Sequence, residues 1–198
     1  MSAVGKVCTG FSLPYVAKYA ASGGTVTYSD GQRLARGVSV SVAPDSSDNN
    51  DFYADNVKAE SVSGVFTGGT VTLTVDGLLP AAEEFIFGLP EAATVGTVSV
   101  LKYGDSAQPP YVGIGFLARY MSDGVTTYKV IVLTKAKFNL PTEEANTQED
   151  AISWQTQALE AAIMRDDTAD HDWKLVGATE YTTEAAAETD LKKILNIV

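Results

Sequence analysis

The sequence predicts a mainly β protein of long antiparallel strands with two short helices, folded as one domain over residues 1–198. Three observations predict this. Apolar and polar residues alternate in "GGTVTLTVDG", where Val71, Leu73 and Val75 oppose Thr70, Thr72, Thr74 and Asp76, so one face is buried and the other wet. Asp123-Gly124, a strong hairpin signal, stands between two long β-type runs in "PPYVGIGFLARYMSDGVTTYKVIVLTKAKF". Helix start and stop signals occur together in only two places.

Taken in order, the first stretch, "MSAVGKVCTGFSLPYVAKYAASGG", is broken up by Thr9, Ser12, Pro14 and Lys18, so no export signal is expected. Thr25–Tyr28 and Val38–Val42 alternate as strands, with a turn expected at Ser29-Asp30-Gly31. Residues 43–61 are polar and longer than a hairpin connection needs, which predicts a long inter-strand loop. "LPAAEEFIFG" reads as a helix, with Pro80 at its first position, Glu83 and Glu84 near the positive end of its dipole, and Gly88 to stop it. Pro141–Asp150 is a second polar, irregular segment. The passage that follows is ambiguous. Gln155, Gln157, Ala158, Leu159 and Glu160 favour helix, yet Ile152–Thr156 alternate as a strand would. The C-terminal extension, residues 177–198, contains "TTEAAAETDLKKILNIV", a helix capped by Thr183, with Lys192 and Lys193 late and one apolar stripe of Ala187, Leu191, Ile194, Leu195 and Val198.

Composition narrows the function. Twenty-five acidic against fourteen basic residues give a net charge of -11, which repels phosphate and argues against a conventional nucleic-acid binder. No apolar run approaches the roughly 20 residues of a membrane helix, so no membrane partner is expected. The single cysteine, Cys8, leaves no internal disulfide framework. One histidine and one distant cysteine are little material for a nucleophilic catalytic set, and no enzyme activity and no cofactor are expected.

Several motifs have a plainer reading than the one they first suggest. His171 with Asp166, Asp167, Asp170 and Asp172 could ligate an ion, but a solvated acidic turn explains the same residues. Asp45, Ser47, Asn49 and Asp51 echo the start of a calcium loop that then fails, because Asn50 stands where glycine is needed and Asn56 where a bidentate glutamate is. Gly113, Gly115 and Ala118 satisfy GxGxxA, but they lie inside a β run, where glycine marks close packing. Trp154 and Trp173 are expected as buried core anchors, and Tyr15, Tyr19 and Tyr28 likewise.

In order and spacing, these segments resemble the major tail tube proteins of long-tailed, siphophage-like bacteriophages. The resemblance is carried by Tyr53-Ala54-Asp55 after the polar loop, by the "PPYVGIGF" strand, and by Lys137-Phe138 with Pro141, Glu144 and Trp154-Gln155-Thr156; it spans roughly Gly10 to Trp173. It implies an antiparallel β-sandwich or barrel with one flanking helix, assembling into probably hexameric rings that stack into a tube for DNA ejection. The protein would then reside in the virion tail, after assembly in the host cytoplasm. Tape measure, tail tip and terminator proteins would be its partners, and DNA would pass without specific binding. Read this way, Ile152–Met164 is a strand despite its helical composition. Asp45, Asp48, Asp51, Tyr53 and Asp55 become candidates for contact between rings, and Thr70, Thr72, Thr74 and Asp76 for the lumen face. The competing expectation is a carbohydrate- or calcium-binding β-sandwich module of a tail fibre or adhesin.

Overall fold

The computed structural model describes residues 5–148 and 153–197. It is mainly β with two helices, as the sequence predicts. One eight-stranded antiparallel sheet dominates. Its strands are β1 (Val7–Ser22), β2 (Thr25–Arg33), β3 (Gly37–Ser46), β6 (Phe66–Val75), β9 (Val112–Ser122), β10 (Val125–Phe138), β11 (Gln157–Met164) and β12 (Lys174–Val176). They run in the order β2-β1-β9-β10-β11-β6-β3, with β12 paired to β10 beside β11. Two further hairpins, β4–β5 (Asn50–Ala54 and Val57–Val62) and β7–β8 (Ala93–Val95 and Val98–Val100), form separate two-stranded sheets.

The sheet curls so far that β3, at one end, reaches β1, next to the other. Phe11 of β1 lies against Gly37 of β3, where any side chain larger than hydrogen would strike the ring. Curling encloses one core, built from Val71, Leu73 and Val75 of β6, Val112 and Ile114 of β9, Leu133 and Phe138 of β10, and Leu159 and Ile163 of β11. Helix α1 (Pro80–Phe87) closes this core with Ala82, Ile86 and Phe87. It begins at Pro80 and ends where Gly88 adopts φ 59°, as its sequence signals require.

A second core lies on the opposite face of β1, β2, β9 and β10. There Tyr15, Ala17, Tyr19, Tyr28, Leu117, Val130 and Val132 receive Ala187 and Leu191 of helix α2 (Glu184–Ile194) and its C-cap residue Leu195. Ala187, Leu191 and Leu195 of the expected stripe therefore dock on their own subunit, whereas Ile194 is exposed and Val198 lies outside the described residues. The Thr183 hydroxyl accepts from the Ala186 amide, as a cap should. Glycines make the seat. A Cβ on Gly115 would stand 2.8 Å from Leu195, and one on Gly113 would press into the Tyr28 ring. The GxGxxA pattern is thus packing within a strand.

Four expectations are corrected. Ser29-Asp30-Gly31 does not turn the chain. It stays within β2, where Asp30 (φ 52°) bulges the strand and Gly31 makes room for Ile197, and the chain passes from β2 to β3 only after Arg33. Residues 43–61 are not a loop, because β3 runs on to Ser46 and the rest folds as β4–β5 about a two-residue turn with φ of 50° and 62° at Asp55 and Asn56. The strand expected over Ile152–Met164 begins at Gln157; Ser153–Thr156 are outside it, and Ile152 lies outside the described residues. Gln157–Met164 is nevertheless β, since β6 and β10 pair with it on both sides and override its helical composition. Trp154 is no core anchor, being 86% exposed, whereas Trp173 is partly buried and stacks on Phe66 at 4.5 Å.

Candidate functional site

β6 organises the surfaces that matter. Its Thr70, Thr72 and Thr74 face away from the core, and the register sets Ser39, Ser41 and Ala43 of β3 beside them on one side. On the other side stand Ala158, Glu160 and Ala162 of β11. The three strands together present a face of small and hydroxylated side chains, with Glu160 its carboxylate and Lys137 of β10 at its margin opposite Ala162. Asp76, the fourth of this row, is exposed at the end of β6 and ion-paired. Its carboxylate is held by the Arg36 backbone amide at 3.0 Å and by the Arg36 guanidinium, which keep its pKa below the usual carboxylate range.

At the Phe66 end of β6 the chain leaves the sheet as the β4–β5 arm. Its neck is tied by Ser47 N–H donating to the Val65 carbonyl (2.9 Å), Val65 N–H to the Ser47 hydroxyl (3.0 Å), and Gly64 N–H to Asn49 Oδ1 (2.9 Å). Within the arm Lys58 pairs with Asp51 at 2.7 Å and Ser61 donates to the same oxygen at 2.5 Å; these contacts lower the Asp51 pKa. These contacts tie the two strands of the arm together. Phe52 and Tyr53 are nevertheless 63% and 62% exposed, and Val57, Val62 and Val65 are exposed with them. Of the residues expected to make inter-ring contacts, Asp51, Tyr53 and Asp55 sit on the arm, Asp48 at its neck, and Asp45 at the close of β3.

The Val75 end differs. Asp76, Glu83, Glu143, Glu144 and Glu160 line a cleft of about 810 Å³ between α1 and the segment leading into β11. Desolvation, then the charge of Glu143, raises the Glu83 pKa. The neck of that segment is closed by a double amide contact, Asn146 N–H to Gln155 Oε1 (3.0 Å) and Gln155 Nε2 to the Asn146 carbonyl (3.1 Å). Leu140, in the cleft lining, is exposed, as are Leu79, just before α1, and Trp154, just before Gln155.

The acidic turn after β11 is occupied by its own contacts. Asp166 is buried and accepts from the Thr168 amide and hydroxyl, and Asp167 pairs with Lys135 at 2.7 Å. Burial, then the hydrogen bond that its hydroxyl donates to Asp167, raises the Tyr19 pKa to about 12. Lys135 also lies over the Tyr19 and Tyr111 rings, at 5.1 and 4.9 Å. Among the described residues no three His, Cys, Asp or Glu side chains converge as metal ligands. The arm is what sequence reading missed, because Asp and Asn hid its alternation; the Asp55-Asn56 turn residues were the available signal.

In comparison with known proteins, the chain matches no protein family and no curated protein.

Proposed function

We propose that this protein is a structural subunit that polymerises with copies of itself into stacked rings, forming the tube of a phage tail through which DNA is ejected. One observation carries the reading: the β4–β5 arm, a two-stranded hairpin outside the main sheet, exposes five large apolar side chains. A lone two-stranded hairpin is marginal in water, so such an arm calls for a surface to lie on. Supporting it are an eight-stranded antiparallel body, a hydroxylated face on β3, β6 and β11, and a net charge of -11. A conduit lined by small hydroxylated side chains offers DNA few cationic wells, since phosphate contacts with Lys and Arg supply most non-specific affinity. Thr70, Thr72 and Thr74 are the lumen candidates on this reading.

Negative-stain microscopy of the concentrated protein, paired with sedimentation velocity, tests it. Hollow tubes or rings are the expected result. A monodisperse monomer at every concentration and salt would overturn the reading.

A further inference from the structure

Helix α2 is the second half of a longer strap, residues 174–197. Along the first half β12 pairs with β10, Leu175 beside Val132 and Val176 beside Ile131. Gly177 N–H donates to the Val130 carbonyl at 2.8 Å, and Tyr181 exchanges both backbone hydrogen bonds with Tyr128, at 2.8 and 3.0 Å. α2 then lies on the face of the same sheet. Its apolar anchorage is small, because only Ala187, Leu191 and the cap residue Leu195 are buried and Ile194 is exposed. Carboxylates supply most of the remaining fastening. Glu184 accepts from the Ser12 hydroxyl of β1, Glu188 from the Tyr15 hydroxyl at 2.6 Å, and Asp190 from the Tyr181 hydroxyl at 2.6 Å. Glu180 pairs with Lys6 and, at 3.5 Å, with Lys129 of β10. Lys192 and Lys193 stand 2.8 and 2.7 Å from Glu188 and Asp190, and Arg33 of β2 adds its charge near Glu188. At the root of the strap Asp167 meets Lys135, the Tyr19 hydroxyl and the charge of His171. The one neutral side-chain tie to β2 is the Asn196 amide, which donates to the Tyr28 carbonyl at 3.0 Å.

We propose that residues 174–197 form an acid-released latch: protonation of Glu180, Glu184, Glu188 and Asp190 frees the strap while the enclosed core stays folded, uncovering the groove of Tyr15, Tyr19, Tyr28, Leu117, Val130 and Val132. A helix of eleven residues is marginal alone in water, so α2 unwinds as it undocks and its own ion pairs are lost in the same event. Lys6, Lys192 and Lys193 are the largest causes that hold Glu180, Glu188 and Asp190 below their ordinary values of 4.5 and 3.8, and Lys135 does the same for Asp167. Elsewhere among the described residues only Asp51, on the arm, and Asp76, at the end of β6, are lowered. The enclosed core holds none of these groups. A carboxylate whose pKa is lower when docked binds its proton more readily when free. Docking is therefore complete above 4.5 and is lost as pH falls through the docked values. The strap yields to acid first because the groups that titrate are its own fastenings, whereas apolar packing in the enclosed core does not titrate.

Hydrogen exchange on the full chain from about pH 6 to about pH 2.5, corrected for the intrinsic rate at each pH, reads the opening of α2 against that of β6 and β11. A dye that fluoresces on apolar surface reads the groove in parallel. Protection of α2 is expected to fall by about tenfold per pH unit for each net proton taken up, with dye bound in step, while β6 and β11 stay protected. Glu180→Gln/Glu184→Gln/Glu188→Gln/Asp190→Asn keeps the size and the acceptors and removes the titration. It should be more open than the wild type at about pH 6 and respond little to acid. Ser12→Cys/Glu184→Cys in a Cys8→Ser background, once oxidised, ties α2 to β1 and should bind no dye in acid until it is reduced. Loss of α2 and β6 protection together, an acid response retained by the amide variant, or dye bound by the oxidised variant would overturn the latch.

Discussion

Gly113→Ala isolates how the sheet accommodates its second core. A Cβ there would stand 3.0 Å from Tyr28 Cδ1 and 3.1 Å from Cζ, and closer still to Cε1. The ring cannot step aside. Its hydroxyl donates to the Thr134 carbonyl at 2.8 Å, and its face is packed edge-on to Tyr19 with centroids 6.1 Å apart. Overpacking of this kind costs about 1–3 kcal/mol, and replacing glycine within a strand returns roughly 0.5–1 kcal/mol. The net spans about 0–2.5 kcal/mol, and because the ring is held on two sides the upper part, ~2 kcal/mol, is expected. For a chain of this size each kcal/mol moves the midpoint about 2–4 °C, so Tm should fall by roughly 4–8 °C. Thermal unfolding of the monomer at low salt, followed by circular dichroism, measures it. Tyr28→Leu in the same chain removes the obstruction, so the double variant should be less destabilised than the two single losses added together. A Gly113→Ala midpoint within about 1 °C of wild type, or strict additivity in the pair, would refute the packing account.

Other consequences are as direct. Trp154→Ala should leave stability unchanged within about 0.5 kcal/mol and remove the readily quenched part of the fluorescence, since Trp154 is 86% exposed. Trp173→Ala should be costlier, losing the stack on Phe66, worth about 0.5–1.5 kcal/mol beyond burial. Thr183→Ala should destabilise α2 by about 1 kcal/mol, read as earlier loss of helical signal and lower Tm. The pH dependence has two limbs. Hydrogen bonds and ion pairs lower the pKa of Asp167, Glu188 and Asp190 in the folded chain, so their stabilisation is present above the ordinary carboxylate values of 3.8 and 4.5 and is lost as pH falls through the folded ones. Burial raises Tyr15, Tyr19 and Tyr28 above 10.0, so the folded state favours the neutral phenols and loses stability as pH rises beyond 10.0. Denaturant titrations across pH should therefore show a plateau that falls at both ends; unchanged stability at pH 3 or 11 would contradict the assignments.

Sequence alone determined what depends on neighbours along the chain. Alternation in β6 fixed which of its side chains are buried, Asp123-Gly124 fixed the β9–β10 hairpin, and Pro80, Gly88 and Thr183 fixed the helix ends. Each is a local conformational preference, readable within a few residues. Tertiary structure decided the rest, because it depends on partners distant in sequence. Gln157–Met164 became a strand only because β6 and β10 supplied hydrogen bonds on both sides. Trp154 stayed outside because the enclosed core was filled by α1 and the inner faces of the strands. Asp76 was engaged by Arg36, forty residues away. The arm and the acidic cleft came to lie at opposite ends of one strand through pairing register, a property that no single segment encodes.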